Sequence, residues 1–168
     1  MTDPILSECP IRIKGDLFAL AESGMFNIIV HGCNCFHTMG GVIASQIKAQ
    51  YPRAYEADLA TPRGDKAKLG TYSVALGKQF NIVNAYTQYG FAKQGADGAI
   101  EDVFEYAAFQ KILDRLSDQY PTSTFGFPLI GQGPAGGNAD VINSMISKFA
   151  VSVTKSGGRV YLVEYQPK

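Results

Sequence analysis

The chain has 168 residues, 46% of them hydrophobic, and its fifteen basic and fifteen acidic side chains cancel to a formal net charge of zero. That size makes a single domain over 1–168, and the even charge lacks the field that draws proteins to nucleic acid or anionic membrane. Apolar runs fall short of the ~18 residues of a membrane span, and the start MTDPILSECP has neither a charged nor an apolar leader region, so the expected setting is the cytoplasm. The expected partner is a small molecule, with no nucleic acid and no membrane, and the expected state is a monomer. Three cysteines, with Cys33 and Cys35 only two apart, make no disulfide framework and fit reduced thiols.

Residues 1–10 hold two prolines and read as an N-terminal arm or edge strand. A short strand over 12–14 runs into Gly15-Asp16-Leu17, where Asp16 suits the cap of a short helix over 17–21 that Ser23-Gly24 stops. Residues 27–33 are an apolar run of the kind a strand buried on both faces needs. Gly40 and Gly41 then turn the chain, and 42–50 returns Ile43 and Ile47 at helical spacing. Tyr51-Pro52 ends that helix, and 53–66 reads as a surface connection. Strands over 71–76 and 80–86 are close enough to form an antiparallel hairpin, and 88–99 is a loop. The clearest helix covers 101–119, with Tyr106, Phe109, Leu113 and Leu116 on one stripe and Glu101 and Asp102 in its first turn. A strand over 124–130 and a second glycine loop follow. Asn138 caps a last helix whose stripe is Ile142, Met145, Phe149 and Val153, and a strand over 159–164 completes the chain. Helices alternating with strands, plus one hairpin, predict an α/β fold: a three-layer α/β/α sandwich around a central mixed β-sheet. In such a sheet ligands sit at the strand ends beside glycine turns.

Many of the eighteen glycines bunch at 40–41 and 131–137, and backbone amides in such turns hold small anions without a cationic clamp. Four stretches occur in order around them. They are Gly15-Asp16-Leu17; His31-Gly32-Cys33-Asn34 with Met39-Gly40-Gly41-Val42-Ile43-Ala44; Asn84-Ala85-Tyr86-Thr87-Gln88; and Pro128-Leu129-Ile130-Gly131-Gln132-Gly133. In order and spacing, over nearly the whole chain, they resemble the macro domain, the module that binds ADP-ribose and related nucleotides. The first loop is most similar to the branch of ADP-ribose-1''-phosphate phosphatases and their deacylase or de-ADP-ribosylating relatives. The chain departs from other branches. Ala44 and Ser45 stand where one branch carries an acid after its glycine loop, and Thr87-Gln88 stand where another carries a lysine, with Lys93 farther along. Val42 occupies a place where the family often has another glycine.

The resemblance implies that Asp16 accepts a hydrogen bond from the adenine amino group, with Leu17 beside it, against the simpler role of helix cap. It implies that Asn34 meets the distal ribose hydroxyls, against the simpler role of a turn-stabilising Asn. Gly40, Gly41 and Val42 on one side, and Gly131, Gln132, Gly133, Ala135, Gly136 and Gly137 on the other, would surround the diphosphate and distal phosphate. His37, in the first loop, is a candidate for moving a proton or steadying a phosphoryl oxygen, whereas His31 reads as a buried, hydrogen-bonded imidazole. Where relatives carry an aspartate in the second loop, this chain has Ala135 or Asn138. Asp140 is the nearest acid, and its simpler role is to face the helix dipole. Tyr86, Tyr89, Phe91 and Phe149 suit either a cleft wall or the core.

The run from His31 to His37 does not read as a zinc site. Extended side chains two apart lie at roughly 6.5 Å intervals and cannot close on one ion with bonds of ~2.0–2.3 Å. No metal and no cofactor is expected. The expected function is ADP-ribose binding with hydrolysis of the phosphomonoester of ADP-ribose-1''-phosphate, catalysed by Asn34, His37 and Asp140. Two alternatives stay open. One is a non-catalytic ADP-ribose reader or nucleotide sponge, favoured by the missing acids of the second loop. The other is a hydrolase that frees proteins of ADP-ribose or deacetylates O-acetyl-ADP-ribose. A flavodoxin-like domain shares the architecture but gives Asp16 no adenine to meet.

Overall fold

The computed structural model describes residues 9–90, 102–133 and 135–166. Strand β1 (Ile11–Gly15) alternates half-buried and exposed positions, as an edge strand does. Asp16 then starts helix α1 (Leu17–Glu22): its Oδ1 accepts the N–H groups of Phe18 and Ala19 at 3.0 and 3.1 Å. Ser23 ends that helix, and Gly24 follows in the left-handed region. Strand β2 (Ile28–Cys33) is buried on both faces, as its apolar run predicts. Helix α2 (Val42–Gln50) follows the first glycine loop.

The next segment departs from the surface connection expected over 53–66. Pro52 opens a further helix, α3 (Pro52–Leu59), immediately after Tyr51. A proline has no N–H to lose at a helix's first position and its fixed φ suits the first turn, so it begins this helix as well as ending the previous one. A 3-10 turn (Lys66–Lys68), capped by Asp65, leads into strands β3 (Tyr72–Ala75) and β4 (Asn81–Tyr86), which pair antiparallel as expected.

Helix α4 (Tyr106–Gln119) starts later than the predicted 101. Asp102 is therefore not in its first turn. Its carboxylate accepts the Phe104 N–H at 3.0 Å and the Tyr106 hydroxyl at 2.5 Å. Val103 N–H donates to the Ala135 carbonyl and Glu105 N–H to the Thr87 carbonyl, bonds that hold 102–105 extended. Strand β5 (Thr124–Phe127) is shorter than the predicted 124–130, because the chain turns from Pro128 onward. Helix α5 (Ala139–Lys155) is capped by Asn138 Oδ1 on the Val141 N–H, and β6 (Arg159–Tyr165) completes the sheet. Residues 1–8, most of the 88–99 loop, Glu101 and Pro134 lie outside the described residues.

The strands run in the order β1-β6-β5-β2-β4-β3. All neighbours are parallel except the β3–β4 pair, so the sheet is mixed, as expected. Side chains of β2 alternate between the faces. Ile28 and Val30 pack with Phe109, Ile112, Leu113 and Leu116 of α4 and Ile142, Ile146 and Phe149 of α5. Ile29 and Cys33 pack with Leu17 of α1, Ile47 of α2 and Ala54 of α3. Helices thus cover both faces, completing the predicted three-layer sandwich. Each fully buried Leu, Ile or Phe contributes roughly 1.5–3 kcal/mol. Among the described residues no helix is long and apolar enough to cross a membrane.

Candidate functional site

Parallel pairing sends the C-terminal ends of β1, β6, β5, β2 and β4 to one edge of the sheet. From β2 the chain moves on to β3 and β4, then crosses back to β5 and β6 on the other side. The crevice where the winding reverses therefore lies between β2 and β5, the place where open α/β sheets bind ligands. The two glycine loops leave the sheet there, and the end of β2 lies against the chain that leads into the second. A Cβ on Gly32 would lie 3.3 Å from Ile130. Asp16 ends β1 on the same edge.

The glycines sort into two kinds. Gly131 (φ 73°) is left-handed, and a Cβ there would lie 2.4 Å from the Phe104 ring; on Gly137 it would meet the Gly131 carbonyl oxygen at 2.6 Å. Gly136 also has a positive φ, and its N–H donates to the Gly133 carbonyl, while that of Gly137 donates to Gly131. Those three shape the second loop from within. Gly40, Gly41 and Gly133 differ: a Cβ on any of them meets nothing within 4 Å among the described residues, and none is left-handed. Gly41 is also the residue at which α2 begins, so the first N–H groups of that helix emerge beside it. Val42, where another glycine was expected, is 70% exposed and so blocks nothing inside the protein.

In the first loop Asn34 is engaged with its own turn. Its Nδ2 donates to Thr38 Oγ1 at 2.6 Å and its Oδ1 accepts the Phe36 N–H at 2.8 Å. One amide proton and one lone pair are left for a ligand. His37 (φ 61°) and Met39 (φ 41°) both sit in the left-handed region, which costs about 1–2 kcal/mol per residue and is tolerated only where surroundings enforce it. His37 Nε2 lies 3.2 Å from Thr61 Oγ1, and the Tyr55 hydroxyl donates to the His37 carbonyl at 3.2 Å.

In the second loop Ala135 is buried, and Gln132 Nε2 donates to Asn143 Oδ1 at 2.8 Å. Asp140 is exposed in the first turn of α5, where the dipole favours it, and no bond joins it to His37 or Asn34. At β1, Asp16 is a helix cap through Oδ1 alone, and the Leu17 side chain is fully buried, so only its main chain can meet a ligand. Of the aromatic candidates, Phe149 is core, edge-to-face with Phe125 and Phe127; Tyr89 is half-buried against Phe36; Phe91 and Lys93 lie outside the described residues.

Beneath the first loop lies a buried polar network. His31 Nε2 is 2.6 Å from Asn84 Oδ1. Asn84 Nδ2 donates to the Ala54 carbonyl at 2.9 Å, which only accepts, so the amide's orientation is fixed and His31 is the donor. Asn84 Nδ2 also reaches Ser73 Oγ, Ser73 meets the Tyr86 hydroxyl at 2.9 Å, and Tyr86 donates to Asp58 Oδ1 at 2.8 Å. Burial lowers the His31 pKa, opposed by the Asn84 bond and the Asp58 charge, so the ring is neutral as expected. Lys68, 5% exposed, lies over the Tyr86 ring and donates to the Cys35 carbonyl at 3.3 Å. Burial pushes the Cys33 thiol well up. Asp58 and Thr61 carry no motif and come from the 53–66 stretch expected to be surface, and Lys68 lies just beyond it; Pro52, suited to a helix's first position, is the sequence signal for the helix that holds Asp58. Thr87 Oγ1, beside Gly32, is buried and has no hydrogen-bond partner among the described residues. Among the described residues no His/Cys/Asp/Glu group is arranged to hold a metal ion. A cavity of about 450 Å³, walled by Tyr51, Pro52, Leu76 and Phe80, opens at the opposite edge, away from both loops.

No family model matches the sequence. The chain is 35% identical over 160 residues to the uncharacterized 17.5 kDa protein of the tk-vs intergenic region of Enterobacteria phage T4, covering 92% of this chain and 96% of that one. Among solved structures, a Bacteroides thetaiotaomicron protein superposes with a TM-score of 0.72 at 20% identity, covering 92% of this chain and 99% of that one. The DarG macrodomain of Thermus aquaticus gives 0.64 at 17% identity over 91% and 96%. DarTG of Thermosipho africanus in complex with ADP-ribose gives 0.60 at 16% identity over 86% and 39%. The chain belongs to the same family as the phage T4 protein and has the fold of a macrodomain.

Proposed function

We propose that this chain, acting as a single domain, binds ADP-ribose and hydrolyses the phosphomonoester of ADP-ribose-1''-phosphate. The observation that carries the reading is the set Gly40, Gly41 and Gly133, which no internal contact requires to be glycine and which lie on the two loops flanking the β2/β5 crevice. A missing side chain with open space before it lets a diphosphate approach the main-chain amides. The Thermosipho africanus complex supports the ligand class. Asp16 meets the adenine amino group with the oxygen its cap does not use, Leu17 and Val42 contribute main chain, and Asn34 meets the distal ribose with its remaining donor and acceptor. Gly131, Gln132, Ala135, Gly136 and Gly137 set the course of the second loop along the phosphates.

Hydrolysis needs little covalent help from the protein, since phosphoryl transfer is mostly positioning and charge stabilisation. Water forms the new bond to phosphorus and gives a proton to His37. The bond from phosphorus to O1'' breaks with its electron pair on O1'', which takes a proton from solvent. The test is calorimetric titration with ADP-ribose, together with phosphate release from ADP-ribose-1''-phosphate. Binding with turnover that His37→Ala abolishes is the expected result. No heat at millimolar ADP-ribose would overturn the whole reading, whereas tight binding without phosphate release would leave a non-catalytic reader.

A further inference from the structure

We infer that Thr61 is a positioning residue that fixes the tautomer of His37, an inference that rests on the reading of His37 as the proton-transfer group. Thr61 lies two residues past the end of α3, and its Oγ1 is 3.2 Å from His37 Nε2. A third atom decides which of the two donates. Thr61 Oγ1 is 2.6 Å from the main-chain carbonyl of Asp58, and a carbonyl only accepts. The hydroxyl has one proton and commits it there. The Tyr86 hydroxyl, 3.4 Å away, changes nothing, because its own proton goes to Asp58 Oδ1 at 2.8 Å. Thr61 Oγ1 can therefore only accept from His37, so the neutral ring carries its proton on Nε2 and its lone pair on Nδ1.

The Tyr55 hydroxyl supplies a second tether, on the His37 carbonyl, which holds the residue in its left-handed conformation. Nδ1 makes no hydrogen bond to any described residue and carries the lone pair that can take a proton. The imidazole is thus presented as a base through one defined atom, and α3 with the residues after it helps to present it.

The chain has two histidines, so NMR of the 15N-labelled full chain reads each ring separately, with His37→Asn assigning them. The expected result is an Nε2-protonated His37 in the native chain and in Thr61→Ser. In Thr61→Val the tautomer ratio should shift by about 2- to 12-fold, the worth of one neutral hydrogen bond. Turnover of ADP-ribose-1''-phosphate should fall in Thr61→Val through kcat with KM unchanged, and return in Thr61→Ser. An Nδ1-protonated His37, or a Thr61→Val ring unchanged from the native one, overturns the inference. If no variant releases phosphate while the tautomer behaves as stated, the proposed reaction fails and the role of Thr61 on the ring stands.

Discussion

Gly41→Ala and Gly131→Ala are the same chemical change at opposite walls of one crevice, and the structure gives them opposite consequences. At Gly131 the new Cβ costs about 1–2 kcal/mol for a left-handed alanine, and a comparable amount for displacing the Phe104 ring from 2.4 Å. The sum, about 2–4 kcal/mol, lowers the Tm of a chain this long by roughly 5–15 °C. At Gly41, with φ −72°, ψ 169° and open space around the Cβ, alanine gains from a stiffer unfolded chain and loses a few tenths of a kcal/mol as a helix-starting residue. The stability change stays within about 0.5 kcal/mol. Affinity for ADP-ribose should instead fall at least about tenfold, because a methyl group stands where the diphosphate meets the main chain. Urea unfolding and calorimetric titration on both variants separate the two effects. A Gly41→Ala protein that binds as tightly as the native one would refute the assignment of that glycine to a ligand, and an unaltered Gly131→Ala stability would refute the steric account.

Two further outcomes are expected. His31 is buried neutral, so its folded pKa is below the unfolded value of about 6.5; above that pH both states are neutral and stability is flat. As pH falls from about 6.5, the unfolded chain takes up the proton and the folded chain does not, so stability is lost at up to about 1.4 kcal/mol per pH unit. His31→Gln should remove that slope between pH 5 and 6.5 in urea titrations, and an unchanged slope would place the proton uptake elsewhere. Asp16→Ala should cost about 1 kcal/mol as a lost helix cap and also weaken ADP-ribose binding, whereas Asp16→Asn, which caps as well, should keep the stability and lose some of the affinity; equal affinities in all three would leave Asp16 a cap only.

What could be read from the sequence was local chemistry. Asp16 and Asn138 cap the helices they precede because an oxygen-bearing side chain at that offset serves one or two N–H groups wherever the chain goes next. The strand before the first loop was legible from seven residues of apolar run. What failed depended on distant partners. The start of α4 at Tyr106 is decided by the bonds Val103 to Ala135 and Glu105 to Thr87, across spans no periodicity can show. Pro52 reads as a stop in sequence but is equally a start, and the helix it opens carries Asp58 to the Tyr86 hydroxyl, a partner 28 residues on. The glycine loops were visible, but which glycines answer to a neighbour and which to open space needed coordinates.

The segregation of polar groups onto one side of the sheet has a dynamic consequence. On the α4 and α5 side the buried cluster is Phe, Ile, Leu, Val and Ala, whereas the α3 side adds His31, Asn84, Tyr86, Asp58 and Lys68 to an apolar cluster of its own. Opening the α4 and α5 layer wets an uninterrupted apolar cluster, whereas the other layer combines its apolar cluster with side-chain hydrogen bonds that can break one at a time. Amide hydrogen exchange should therefore run in two tiers, slow through α4 and α5 and faster through α3 and the first loop. The first glycine loop, proposed above to meet the ligand, leaves β2 beside the layer that opens more readily.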